Sequence, residues 1–137
     1  MSAENEVCEI IQKWARAVSA ADRPAILAHH ADDLLMFDFP ATVIGLAAYD
    51  KTWDFFFADP RGPISFEPRE ITVSAGDDVA FASCMVHCEG TSGGHVDFRL
   101  TTGLRKTGGK WVIIHEHHSV PTKEERFIGP SSCAPRA

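Results

Sequence analysis

The last apolar segment of the chain, "WVIIHEHHSV" at residues 111 to 120, closes with three histidines and a glutamate in four positions: His115, Glu116, His117 and His118. Imidazole titrates nearest neutrality of all side chains, and a carboxylate beside it can orient it or share its proton. Side chains alternate along a strand, so Val112, Ile114, Glu116 and His118 face one way while Trp111, Ile113, His115 and His117 face the other. Both rows are apolar up to Ile114, which leaves the inward row open. If the even row lines a cavity, Glu116 and His118 form an acid and base pair. If the odd row does, His115 and His117 could ligate a metal, with His87 of "MVHCEG" as a third imidazole. Two histidines two apart on a strand also arise by chance, so interior or interface packing is the preferred reading and no metal is expected.

A second candidate lies upstream. Alternation in "LLMFDF" puts Leu34, Met36 and Asp38 on one face, so a carboxylate stands beyond two apolar side chains. Burial disfavours the charged carboxylate and can move it into the range useful to a general base. The plainer alternative is a strand-end carboxylate held by backbone amides near Pro40.

The elements that position these groups follow from periodicity. Val7, Ile10, Ile11, Trp14 and Val18 recur at three and four, predicting an amphipathic helix over 4–21. Asp22 can cap a short second helix with Pro24 in its first turn and "AILAHH" as its body, which places His29 and His30 beside the carbonyls at its end. Leu46, Tyr49, Trp53, Phe56 and Phe57 share a face of a third helix, ended by Pro60 and Pro63. Then "ISFEPREITVSA", "VAFASCMVHCEG", "HVDFRLTTGLRK" and the final segment read as strands joined by "GDD", "TSGG" and "TGGK" turns. This is an α+β pattern: three N-terminal helices packed in a strongly curved antiparallel sheet. One domain spans 1–137, with an ordered core over about 4–121 and a proline-rich tail over 122–137. Trp111 and Ile113, placed on the outer sheet face, would need cover, and a homodimer is expected for that reason.

Composition narrows the function classes. A formal charge of −6 with scattered basic residues argues against nucleic acid. The acidic opening "MSAENEVCEII" and the lack of a long apolar run argue against a signal peptide or membrane span, and the chain is read as cytoplasmic. Cys8, Cys84, Cys88 and Cys133 have no CxxC spacing and suit free thiols.

With "ADD" at 31–33 opening a strand, then "DDVAFA", "FRLTTGLRK" and "GGKWVIIHEHHSVP", the chain resembles a SnoaL-like domain. That group lies in the cone-shaped, cystatin-like superfamily of nuclear transport factor 2 and ketosteroid isomerase. Resemblance to the isomerases over "ADDLLMFD" places their general-base aspartate on Asp38. Their oxyanion tyrosine and neutral aspartic acid fall on Trp14 and on Thr101 or Thr102, and the only tyrosine, Tyr49, is on another helix. Their dienolate stabilisation is therefore not reproduced. The association domain of calcium/calmodulin-dependent kinase II is similar at Trp111, His115, His117 and Ser119, which implies that Glu116 and His118 face inward.

The resulting expectation is a small-molecule binder, or a cofactor-independent isomerase, cyclase or dehydratase acting on a carbonyl-containing ligand. Asp38 would be acid or base, and His118 with Glu116 would polarise or shuttle protons. Trp14, Met36, Trp53, Phe57, Met85, His87 and Thr102 would bind the ligand. The rival is a non-catalytic ligand-binding or oligomerisation module, since one fold can serve both.

Overall fold

The computed structural model describes residues 2–58, 64–90, 95–121 and 126–130, without the side chain of Phe55. The expected stop at Pro60 and Pro63, the "TSGG" turn and most of the proposed tail lie outside the described residues.

Helix α1, Ala3–Ser19, begins where the Ser2 hydroxyl accepts from the Asn5 amide, and it buries Val7, Ile11, Trp14 and Val18. Asp22 caps α2, Arg23–Leu27, by accepting from the Ala25 amide, with Pro24 in the first turn. This helix is shorter than its sequence suggested, and the chain turns into β1, His30–Phe37. His30 is therefore a buried strand residue, not a helix terminus. A strand missed by pattern reading, β2 (Thr42–Ile44), pairs back on β1. Gly45 then starts α3, Leu46–Phe57, at φ 91°, a conformation that favours glycine, and its amide donates to the Leu34 carbonyl at 2.7 Å. That junction fixes Tyr49 and Trp53, one and two turns on. Arg23 ties the helices together by pairing with Asp50 at 2.7 Å and Asp54 at 2.5 Å.

Four long strands complete the sheet: β3 (Ser65–Ala75), β4 (Val79–Glu89), β5 (His95–Thr107) and β6 (Lys110–Ser119). The turn between β5 and β6 has Gly108 and Gly109 both at positive φ, as a two-residue hairpin of matching twist requires. The order is β2-β1-β6-β5-β4-β3. β1 runs parallel to β6, so the sheet is mixed and not purely antiparallel as expected. The helical segment between the first strand pair and the meander lets the first strand and the last pair in parallel within the sheet.

Register irregularities bend the sheet. On β6, Gly103 pairs with His115 but Leu104 pairs with Ile113, leaving Ile114 as an extra residue. A bulge of this kind reverses which side chains face inward. Trp111 and Ile113 are buried on the core side before it, and Glu116 and the mostly buried His118 face the same side after it. Trp111 donates its indole N–H to Glu6 of α1 at 3.0 Å. Trp111 and Ile113, expected on the outer sheet face, are thus covered by the chain's own first helix and core. No helix among the described residues is long and apolar enough to cross a membrane.

Candidate active site

The concave face of the sheet and α3 enclose a cavity of about 350 Å³, with Met36, Asp38, Trp53, Phe98 and His118 in its wall. Ring packing shapes it. The imidazole of His118 lies flat against Phe98, centroids 5.1 Å apart, with Phe39 edge-on at 6.2 Å. Trp53 stacks on Phe57 at 5.5 Å and meets Phe56 edge-on at 5.2 Å.

A row of polar groups runs from the cavity into the core. Asp38 follows the end of β1 and keeps 26% of its side chain exposed. Its Oδ1 accepts from the Phe39 amide at 2.9 Å and stands 3.9 Å from His118 Nδ1. The strand-end capping foreseen as an alternative is therefore present together with the approach to the imidazole. His118 Nε2 donates to Glu116 Oε1 at 2.7 Å, and His30 Nε2 donates to Glu116 Oε2 at 2.5 Å. His30 Nδ1 is buried without a partner. The hydrogen bond that His30 makes is therefore the one from Nε2 to Glu116.

Glu116 is 1% exposed, and burial alone would push its carboxyl up. The hydrogen bonds from His118 and His30 and their charge interactions outweigh that burial and hold it well below the usual carboxylate range. The carboxylate keeps a proton on His118 Nε2, which turns Nδ1 toward Asp38. Tyr49 stacks on His30 at 4.5 Å, and its hydroxyl accepts from Trp14 Nε1 at 3.2 Å. Burial, then the neighbouring Glu116 charge, raise the phenol well above its ordinary value, so it is a neutral donor.

The sequence-derived residues divide three ways. Asp38, Met36, Trp53 and His118 line the cavity. Glu116, Trp14, Phe57 and Thr102 stand behind it: Glu116 on His118, Trp14 on Tyr49, Phe57 on Trp53, and Thr102 buried opposite Glu116 in the ladder. Met85 and His87 fall on the other side of the sheet, because alternation in β4 turns Cys84, Val86 and Cys88 inward. There His87 pairs with Asp97 at 2.5 Å and Glu89 at 3.2 Å, and Met85 borders an open groove with Arg99. His115 donates from Nδ1 to the Leu35 carbonyl at 2.8 Å, and His117 packs against Phe37 on the outer face. Among the described residues no three His, Cys, Asp or Glu side chains are placed to hold a metal. Pattern reading missed Tyr49 and His30 as site residues. Their signal was weak, since an aromatic on an aromatic helix face and a histidine after an apolar helix both read as packing.

The SnoaL-like domain model matches residues 7–123. The chain belongs to that family. No curated protein matches it. Among solved structures, an NTF2-like protein of unknown function from Pseudomonas putida KT2440 is 34% identical, with 97% of this chain and 96% of that one covered and a TM-score of 0.83. A protein of cystatin-like fold from Nostoc punctiforme is 15% identical over 89% and 95%, TM-score 0.77. A candidate ketosteroid isomerase from Shewanella frigidimarina is 18% identical over 81% and 92%, TM-score 0.69. The SnoaL-like chain thus has the cystatin-like α+β cone of this superfamily.

Proposed function

We propose that this SnoaL-like protein is a cofactor-independent enzyme that moves a proton on a carbonyl-containing small molecule held in the apolar cavity, an isomerisation, cyclisation or dehydration. The observation that carries this reading is the line Asp38, His118, Glu116: a partly exposed carboxylate at the cavity, an imidazole 3.9 Å from it, and a buried anion fixing that imidazole's tautomer. Such an oriented pair is how proteins prepare an imidazole for proton transfer.

Asp38 takes the proton from the carbon beside the carbonyl. The proton passes to Nδ1 of His118, and the imidazolium formed there is stabilised by Glu116. His118 then returns a proton to a second atom of the ligand, and because Asp38 is partly exposed the abstracted proton also exchanges with water, which deuterium incorporation reads. The apolar walls lower the local dielectric and strengthen each of these interactions.

The test is solvent deuterium exchange at the α-carbon of a panel of cyclic ketones and enones, followed by mass spectrometry. Asp38→Asn and His118→Gln are each expected to lower exchange of the best substrate by roughly 10²- to 10⁴-fold, the usual worth of a positioned acid or base. Exchange unchanged in both variants would refute the mechanism. A non-catalytic binding module has the same fold, and the name of the Shewanella protein favours the enzyme only by analogy.

A further inference from the structure

His87 has no part in the cavity chemistry, yet both of its ring nitrogens are engaged. On the outer face of the sheet, Nδ1 meets Asp97 Oδ1 on β5 at 2.5 Å and Nε2 meets Glu89 Oε2 on its own strand at 3.2 Å. Ionised carboxylates only accept, so a ring held on both sides by them must donate from both nitrogens. Only the imidazolium can do so.

The position of this contact in the ladder gives it a consequence on the other face. His87 pairs with Asp97, and the pairs on either side of it are Val86 with Phe98 and Cys88 with Val96. Cys88, Val96 and Phe98 line the cavity, and Val96 is 41% exposed, which puts this stretch of the wall at the cavity's opening. Phe98 also carries the flat face on which His118 rests. The outer contact thus fastens the two strands at the point where their inner side chains form that part of the wall.

We propose that His87 is a pH-sensitive clamp on the cavity wall: charged, it ties β4 to β5, and neutral, it loosens the pair and lets the wall of Cys88, Val96 and Phe98 open. As regulation of the cavity's chemistry this rests on the acid and base reading above, whereas the clamp itself does not. The charged groups around the ring favour its proton. From β5 come Asp97 and the His95 ring, tilted over His87 at 5.7 Å, with Arg99 two residues on; from β3 come Glu67, directly opposite, and Arg69, which pairs with Glu67 at 3.3 Å; from β4 comes Glu89. The hydrogen bonds to Asp97 and then Glu89 outweigh burial and the Arg69 charge and raise the imidazole above its ordinary value. With a folded value raised above the unfolded 6.5, the clamp is complete below pH 6.5 and fades as pH rises through the folded value. A neutral ring keeps one N–H and turns a lone pair on the other carboxylate.

Backbone amide hydrogen exchange at pH 6 and pH 9 tests this, expressed as protection factors so that the intrinsic pH dependence cancels. Protection over 86–89 and 95–98 is expected to fall about two- to fivefold at the higher pH, the worth of one exposed ion pair read as an opening equilibrium, while the Val73 and Ala82 pair at the far end of β4 stays level. In His87→Gln the difference between the two pH values should vanish, and in Asp97→Asn the His87 ring, followed by its nitrogen-15 shifts, should titrate at lower pH than in the wild type. Equal protection at both pH values, the same pH dependence in His87→Gln, or an unmoved His87 titration in Asp97→Asn overturns the proposal. If His87→Gln fails to fold, Glu89→Gln and Asp97→Asn loosen the same contact with the ring in place, and both must reduce the pH dependence. No ketone is needed for these readings. A working clamp without deuterium exchange on ketones defeats the catalytic reading alone, and ketone exchange with pH-independent protection defeats the clamp alone.

Discussion

Replacing Glu116 by glutamine separates the structural from the chemical work of the buried carboxylate. Two imidazole N–H groups arrive at it, one on each oxygen, at 2.7 and 2.5 Å. An amide accepts on one side only. The site can recover its second bond by moving the His118 proton from Nε2 to Nδ1, where it points at Asp38, 3.9 Å away. Each bond then changes from a charge-assisted one of roughly 1.5–3 kcal/mol to a neutral one of roughly 0.5–1.5, a loss of about 2 kcal/mol for the pair. An amide costs less to bury than a carboxylate, so the net destabilisation should be about 1–2 kcal/mol, or roughly 3–7 °C in Tm. Proton transfer should suffer far more, by roughly 10²- to 10⁴-fold, because Nδ1 now carries a proton and can no longer take one from Asp38. Glu116→Leu is the control. It orphans two N–H groups at about 1–3 kcal/mol each and should unfold well below the glutamine variant. Thermal denaturation, deuterium exchange and the nitrogen-15 shifts of the His118 ring read these three quantities. A His118 ring that keeps its proton on Nε2 in Glu116→Gln, or a leucine variant more stable than the glutamine one, would refute the tautomer argument.

Three further outcomes are expected. Because Glu116 has a folded-state value below its unfolded one of 4.5, its contribution to stability is complete above about pH 4.5 and drains away as pH falls below it; urea midpoints of wild type and Glu116→Gln should converge on acidification, and parallel curves would contradict this. Burial pushes the Cys84 thiol up to about 12, so native protein at pH 8 should leave Cys84 unmodified by iodoacetamide until it is denatured, as peptide mass mapping would show. Asp22→Ala removes the acceptor that starts α2 and should cost about 1 kcal/mol, seen as a drop of a few degrees in Tm.

The elements were legible where period and capping agreed. Val7, Ile11, Trp14 and Val18 mark α1, Asp22 marks the start of α2, and the strand-length segments from Ile64 onward fall on β3 to β6. Asp38 was singled out because two apolar partners share its parity, and Glu116 and His118 because the composition of their segment is unusual. What failed was long-range. His30 acquires its role from Glu116, 86 residues away, and Tyr49 from the Trp14 indole, 35 residues away, neither of which any local period encodes. Likewise β2 has three residues, too few to establish an alternation, and the parallel pairing of β1 with β6 joins segments far apart in the sequence. Met85 and His87 were misplaced for another reason: a strand with small apolar residues on one row and mixed ones on the other gives no clear inward face until its neighbours are known.

The extra residue at Ile114 has a bearing on how relatives of this chain are compared. Strict alternation along β6 would make Trp111 and Ile113 share a side with His115 and His117, and the bulge instead gives that side to Glu116 and His118. The phase of the strand, and hence the identity of its ionisable residues at the cavity, is set by a single backbone insertion. A homologue with one residue fewer there would present a different pair of side chains from a nearly identical string of letters. Aligning such chains by their histidines alone would equate positions on opposite faces of the sheet, so a gap placed at Ile114 carries more functional information than the count of matching histidines after it.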